Sequence, residues 1–120
     1  MANPNIVNVS EIHGETGVAK LGTSNMDLVE NTASSGKVIK CNALYLCNLD
    51  GSNAINVTIL LNRGGTAYAF ANNLEIPAGA SFDVFSKSVY LQEGDKIEAR
   101  AATANMIDSV ISYEVINSAA

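Results

Sequence analysis

Residues 37–102, KVIKCNALYLCNLDGSNAINVTILLNRGGTAYAFANNLEIPAGASFDVFSKSVYLQEGDKIEARAA, decide the fold of this chain. Runs of Val, Ile, Leu, Tyr and Phe are stopped again and again by residues that favour tight turns. These interruptions are Asp50-Gly51, Gly64-Gly65, Pro77-Ala78-Gly79 and Glu93-Gly94-Asp95. The pattern predicts an all-β protein, an antiparallel β-sandwich of about eight strands with a jelly-roll or immunoglobulin-like topology.

Several expectations concern the connections between strands. Asp50-Gly51 is expected to form a hairpin that pairs residues 55–62 with residues 37–49, because glycine supplies the positive φ that tight turns need. Asn72-Asn73 and His13-Gly14 are expected to form further turns. In the ambiguous residues 24–31, a serine that can cap a helix favours at most one short helical turn, and an irregular loop or a further strand fits equally well.

The longest predicted strand, residues 37–49, has an uneven pattern. One face is apolar for most of its length, with Ile39, Cys41, Ala43, Tyr45 and Cys47. The opposite face begins polar, with Lys40 and Asn42, and ends apolar, with Leu44 and Leu46. We therefore expect this strand to leave an exposed end and become buried on both faces.

The chain of 120 residues is long enough for one domain with its own core. We expect an N-terminal arm at residues 1–8, a single β-sandwich domain at 9–117 and a flexible tail at 118–120. The start, MANPNIVNVSEI, lacks the basic residues and apolar segment of a secretion signal, so we expect the chain to be made and kept in a cytoplasm.

Composition narrows the classes of partner. Only 16% of residues are charged, against a typical share of about 25%, which favours a surface partly covered by neighbouring subunits. The formal charge is −5 and the seven basic residues are scattered, which argues against nucleic acid as a partner. No apolar run approaches the roughly 20 residues of a membrane-spanning helix, so no membrane is expected either.

The two cysteines are expected to be buried free thiols. On one continuous strand Cys41 and Cys47 would lie about 20 Å apart, too far for a disulfide. A metal site is disfavoured because the chain has a single histidine, His13, and no CxxC motif. We therefore expect no metal and no cofactor.

Residues suited to catalysis are sparse. His13 is most simply a solvated turn residue, and nothing in the sequence supplies the nucleophile and orienting group that catalysis would require. Glu93, Asp95 and Asp83 could in principle form a carboxylate pair for glycoside hydrolysis. Turn chemistry explains them better, with Asp95 binding backbone N–H groups and Glu93 facing water. The expected function is therefore not enzymatic.

The seven aromatic residues sit in strand patterns and are assigned mostly to the core. This assignment disfavours glycan binding, which generally uses exposed rings. Around residues 67–71 both strand faces are apolar, so Tyr68 and Phe70 are candidates for an interface.

The order of the turn motifs resembles that of small virion proteins of tailed bacteriophages. The matching segments are IVNVSEIHGET near the start, then NLDG, IPAG, YLQEGD and finally SYEVI. The resemblance extends from Ile6 to Ile116, although each motif alone is a common β-turn. It implies a β-sandwich that is a structural part of the particle and has no catalytic activity.

These observations favour a capsid decoration (cement) protein that stabilises the outer capsid lattice as a symmetric oligomer, with a trimer preferred. Its partners would be the major capsid protein or other virion proteins, and its location the virion, assembled in the host cytoplasm. The predicted partner-binding residues are Ile6, Val7, Val9, Tyr68 and Phe70. The alternative is a neck, tail or fibre module that contacts other tail proteins or a host glycan.

Overall fold

The computed structural model describes residues 9–118, with only the backbone for Val9, Ser10 and Ser118. These residues form nine strands and no helix, so the predicted all-β class is confirmed. The strands are β1 (Val9–Lys20), β2 (Met26–Glu30), β3 (Lys37–Asn48), β4 (Ile55–Arg63), β5 (Thr66–Ile76), β6 (Ser81–Asp83), β7 (Val89–Leu91), β8 (Asp95–Ala101) and β9 (Ile107–Ser118). Within this part of the chain there is accordingly no helix that could cross a membrane.

The strands form two antiparallel sheets with a nested order of pairing. The five-stranded sheet has the order β1-β9-β3-β6, and β7 also pairs with β3; the four-stranded sheet has the order β2-β8-β4-β5. The hairpin β4–β5 is innermost, and the pairs β3 with β6 and β7, β2 with β8, and β1 with β9 enclose it in turn. Such a long hairpin rolled into two sheets is a jelly roll, which decides between the two predicted topologies.

Aliphatic side chains fill the space between the sheets. The largest fully buried ones are Leu21, Leu44, Leu46, Ile59, Ile76, Leu91, Ile97, Ile107 and Ile111. Gly17 of β1 allows a close approach at the margin of this core, because a Cβ there would lie 3.2 Å from Cγ2 of Ile111. The core therefore depends on branched aliphatic residues that alternate along the strands.

A bulge in β3 explains the uneven pattern of its sequence. Cys41 pairs with Tyr113 and Ala43 with Ser112, so Asn42 is an extra residue on β3. An extra residue reverses the alternation of side chains. Before the bulge Ile39 and Cys41 face the core; after it Leu44, Leu46 and Asn48 do. The expectation of a strand buried on both faces is therefore wrong for its second half, and Tyr45 faces outward.

Two segments differ from their predicted conformations near the N-terminus. The His13-Gly14 turn is absent, because both residues pair with β9 inside the continuous strand β1. The short helical turn at 24–31 is also absent, and β2 occupies this segment, as one of the stated alternatives proposed. A bulge between Asp27 and Val29 turns both Met26 and Val29 inward, a spacing of three that resembles a helical pattern.

Two further turn expectations are corrected. The Asp50 segment does not close a hairpin, because β3 and β4 lie in different sheets. Its carboxylate accepts the N–H groups of Ser52 (2.8 Å) and Asn53 (3.1 Å), bonds that lower the pKa of Asp50. The predicted turn at Asn72-Asn73 is a bulge inside β5, where Asn73 adopts a φ of 52° that asparagine tolerates.

The Gly64-Gly65 turn is confirmed as a hairpin between β4 and β5. Arg63 pairs with Thr66 across a two-residue loop, and the φ angles of the glycines are 62° and 85°. Positive φ at both positions is the requirement of a type I′ turn, which non-glycine residues meet only with strain.

Two buried asparagines tie the loops together at opposite ends of the sandwich. Nδ2 of Asn31 donates to the carbonyls of Lys37 (2.9 Å) and Leu91 (3.0 Å), and its Oδ1 accepts the hydroxyl of Ser35. At the other end, Nδ2 of Asn48 donates to the carbonyls of Asn53 (2.9 Å) and Ile76 (3.0 Å). Each side-chain amide thus supplies hydrogen-bond donors to backbone carbonyls where the crossing loops provide no backbone N–H.

Carboxylates reinforce the Asn31 end. Asp95 is fully buried and binds the guanidinium of Arg63 through two bonds of 2.9 and 2.6 Å. Its Oδ2 also accepts the N–H of Gln92 at 2.9 Å. Glu93, expected to face water, is instead buried and accepts the N–H of Gly36 at 2.6 Å. Both acidic residues therefore hold loops in place.

Replacing either buried asparagine by alanine is expected to lower the free energy of unfolding by about 2–3 kcal/mol, because buried carbonyls lose their donors. Asn25→Ala is the control, since this exposed amide accepts only a bond from Arg100. Urea unfolding of Asn31→Ala, Asn48→Ala and Asn25→Ala measures the difference. Equal stability of all three variants would contradict the role given to the buried amides.

Candidate interaction surfaces

The structure separates the predicted partner-binding residues. Ile6 and Val7, with the whole predicted arm at 1–8, lie outside the described residues, as do residues 119–120 of the predicted tail. Val9 begins β1, at one edge of the five-stranded sheet. Tyr68 and Phe70 lie on β5, the edge strand at the far side of the four-stranded sheet. Val9 thus marks one margin of the sandwich, and Tyr68 and Phe70 mark the opposite margin.

The first part of the edge strand β5 lacks the usual protection against pairing. Among the described strands it pairs only with β4, and residues 66–74 contain no charged residue and no proline. Tyr68 is 58% exposed and Phe70 is 37% exposed. Bulges interrupt the later part of the strand, so residues 66–69 form its regular edge. This short, uncharged edge can accept a further strand.

Most aromatic side chains lie outside the core, contrary to the sequence-based assignment. Phe85 is buried and packs edge-on against Phe70, with ring centroids 4.9 Å apart, and Tyr113 is half-buried. The other five are exposed: Tyr45, Tyr68, Phe70, Phe82 and Tyr90. The branched aliphatic residues fill the core without them, so strand periodicity alone misassigned these rings.

The outward face of the five-stranded sheet carries an apolar row across three neighbouring strands. Val18 of β1 pairs with Val110 of β9, which pairs with Tyr45 of β3. Their exposed fractions are 77%, 36% and 51%. Ile12 and Tyr90 are also exposed on this face, opposite Ile116 and Lys40 respectively. Sequence analysis missed this surface; the signal that could have indicated it is Val110, an apolar residue on the polar side of its strand.

The charged residues of the same face are already paired. Nζ of Lys20 lies 2.7 Å from Oδ1 of Asp108, and Nζ of Lys40 lies 3.9 Å from Oε1 of Glu114. On β1, β9 and β3 the outward face therefore carries two positive and two negative side chains and no net charge.

The outward face of the four-stranded sheet is different, because charged side chains run across its centre. Lys96 lies between Asp27 (3.4 Å) and Glu98 (3.7 Å), and Asp27 raises the pKa of Lys96. Arg100 binds the side chain of Asn25 at 2.8 Å. In the described part of this sheet the exposed large apolar residues are Tyr68 and Phe70, both on the edge strand. The two faces of the sandwich therefore suit different surroundings.

The residues considered for catalysis have structural partners. Asp83 accepts the backbone N–H groups of Leu44 and Phe85, and Asp95 is held by Arg63. His13 is exposed on β1, with Nε2 3.2 Å from Glu11. Within residues 9–118 no group of three or more histidine, cysteine or acidic residues could hold a metal ion.

An open groove of about 460 Å³ lies between the β1 and β2 margins of the two sheets. Glu15, Glu30, Lys37 and Tyr113 are among the residues that line it. Burial, and then the charge of Glu15, raise the pKa of the Tyr113 phenol. Among the described residues, the lining of the groove is part polar and part apolar and places no nucleophile beside a base.

Both cysteines are free thiols, as expected, but their surroundings differ. Cys41 is buried, and burial raises its pKa to about 12. Cys47 follows the β3 bulge, so it lies outside the core, half-buried and opposite Asp108. Only the prediction of burial for Cys47 is wrong.

No model of a known protein family matches this chain, and no curated protein sequence matches it. Solved structures do. A subunit of Bacillus endospore appendages, described as a novel family of disulfide-linked pili, has a TM-score of 0.54 and 15% identity. The match covers 92% of this chain and 88% of that one. At this identity the likeness shows a common fold.

Two structures of a pentameric capsid protein from metagenomic phage sequences are looser matches. Their TM-scores are 0.48 and 0.43, with 17% and 21% identity. They cover 85% and 82% of this chain, which spans 63% and 59% of the capsid chains, less than two thirds of their length. These three structures are described as an appendage of the pilus type and as capsid proteins.

The two thiols are expected to react at different rates in the folded protein. At pH 8 a thiol with a pKa of about 12 is ionised in only about one molecule in ten thousand, and the thiolate is the reactive form. Titration with a chromogenic disulfide reagent should therefore modify Cys47 first and Cys41 only after unfolding. In Cys47→Ser no rapid reaction should remain; equal rates for both thiols would contradict the assigned burial.

Proposed function

We propose that this chain is a non-enzymatic structural subunit of a bacteriophage particle, a capsid decoration protein that binds the outer capsid lattice as a symmetric oligomer. The observation that carries the proposal is the free edge of β5 at residues 66–69, which contains no charged residue and includes the exposed Tyr68. The ordered turn motifs shared with small virion proteins support the placement in a phage particle.

The arm at residues 1–8 is proposed to supply the strand that this edge accepts. Residues 5–8, directly before β1, are Asn-Ile-Val-Asn, four residues that match the length of the regular edge at 66–69. Backbone hydrogen bonds would provide affinity, and alternate side chains would provide specificity.

The positions of the two elements determine how copies would join. The arm precedes β1 at one margin of the sandwich, whereas β5 lies at the opposite margin. An arm of one copy on the β5 edge of the next is a head-to-tail contact, which forms a ring when the rotation between copies closes. A rotation of one third of a turn gives the trimer that we propose.

Particles that lack the chain should bind purified full-length protein saturably, with hundreds of copies each, and should then release DNA at a higher temperature. Deleting residues 1–8 should weaken this binding, because the added strand is lost. Quantitative gel analysis of sedimented particles gives the copy number. Undiminished binding of the deletion variant would contradict the role of the arm.

The edge itself is tested by Tyr68→Lys, which places a lysine where natural edge strands use one to prevent pairing. Binding to particles should fall about tenfold, whereas Thr103→Lys, in an exposed loop, should bind as the wild type does. Equal binding of both variants would contradict the use of the β5 edge.

A second candidate function is a glycan-binding or protein-binding module of the neck, tail or fibre. The five exposed aromatic rings favour it, because sugar rings stack on such surfaces. Saturation at three, six or twelve copies per particle, together with calorimetric binding of host polysaccharide, would support this function instead of decoration.

A further inference from the structure

The apolar row on the outward face of the five-stranded sheet is unused by the contacts proposed above. Val18, Val110 and Tyr45 are cross-strand neighbours on the outward sides of β1, β9 and β3. Within the described residues they are the only three exposed large apolar side chains that pair directly with one another across strands. Continuous apolar surface of this kind marks a contact site.

We propose that this face binds the same face of a second copy of the chain, so that two copies stack sheet against sheet. The contact is isologous: each copy contributes the same surface, and two copies complete it. It is independent of the phage assignment, since it concerns the free chain.

Charge identifies the second copy as the partner. The chain carries a formal charge of −5, so two copies repel each other over most orientations. On β1, β9 and β3 this face is neutral, because Lys20 is paired with Asp108 and Lys40 with Glu114. At its β6 edge, Asp83 lies opposite Tyr45 and accepts backbone N–H groups. Most of the excess of acidic residues therefore lies elsewhere. A strongly basic partner would prefer those other surfaces, whereas a second copy meets least repulsion here.

The size of the face is sufficient for a stable pair. β1, β9 and β3 each have 12 residues, a length of about 40 Å. With the edge formed by β6 and β7 the face is about 15–20 Å wide, which gives about 600–800 Å². A stable interface buries about 800 Å² per partner, so almost the whole face would be covered.

The register places the symmetry axis. β9 lies between β1 and β3, so Val110 is at the centre of the apolar row, with Val18 and Tyr45 on either side. A two-fold axis near Val110 brings each row onto its counterpart. Stacked sheets lie about 10 Å apart, and their side chains interdigitate between them.

The first test compares Val18→Asp with Asn56→Asp by sedimentation velocity of the full chain. Val18 is highly exposed, so a carboxylate there is compatible with folding but meets a second apolar row on association. Asn56 is exposed on the opposite face of the sandwich and provides the same added charge. The wild type and Asn56→Asp should form dimers at micromolar concentration, and Val18→Asp should raise the dissociation constant by about tenfold or more.

The second test locates the axis. In a Cys47→Ser background, Val110→Cys should be joined to its counterpart by a bismaleimide that spans about 10 Å, whereas Asn56→Cys should not. High salt should leave the dimer intact, because the contact is apolar and its ion pairs lie within each copy.

A wild-type chain that stays monomeric at high micromolar concentration would overturn the inference, as would an oligomer that Val18→Asp leaves unchanged. Loss of particle binding by Val18→Asp with a monomeric wild type would assign the face to another virion protein and would also overturn it. The sedimentation and cross-linking measurements need no particle, so their failure leaves the decoration proposal standing, and failure of wild-type particle binding leaves the dimer standing.

Discussion

The bulge at Asn42 in β3 is the constraint on which both the core and the outer surface depend. β3 is an interior strand of its sheet, paired with β9 on one side and with β6 and β7 on the other. The extra residue allows Cys41 and Leu44 to face the core, although their spacing of three would put them on opposite faces of a regular strand. The same reversal turns Tyr45 outward, beside Val110. One inserted residue thus completes the apolar core and creates the apolar row.

Strand periodicity and turn residues were sufficient to predict the class of fold and most strand positions, because alternation from β7 to β9 is regular. They failed where bulges lie. Each bulge adds one residue to its strand: Asn42 in β3, Leu28 in β2 and one residue at each of the two bulges of β5. Whether a strand takes up such an extra residue depends on its partner strand. The Asp50 segment shows a different limit of prediction. The turn that its sequence predicts is present, but the chain then crosses to the other sheet. The buried amide of Asn48 and the pairing of β3 with β9 determine this crossing. Among the residues of the candidate surfaces, Tyr68 and Phe70 could be identified from the sequence. The row of Val18, Val110 and Tyr45 could be identified only from the register in which β1, β9 and β3 pair.

Different types of residue have different structural roles in this protein. Branched aliphatic residues fill the core, buried asparagines and the Arg63–Asp95 pair hold the loops, and aromatic residues lie mainly on the surface. Tyr45, Tyr68 and Tyr90 are exposed on their strands and add little to the core of a single copy, so we propose that they contact other molecules. This distribution, with one neutral apolar face and one charged face, is appropriate for a subunit that works by being packed among neighbours. The proposed function therefore rests on the surfaces of the sandwich, and the loops that join its strands serve to hold those surfaces in position.

The most direct test of this account is a cryo-EM reconstruction of the intact phage particle in which the chain is located. The account predicts hundreds of copies in symmetric clusters on the outside of the capsid, with the β5 edge of each copy extended by a strand from its neighbour. Three, six or twelve copies at the neck or tail, or clusters in which the β5 edge faces solvent, would contradict it.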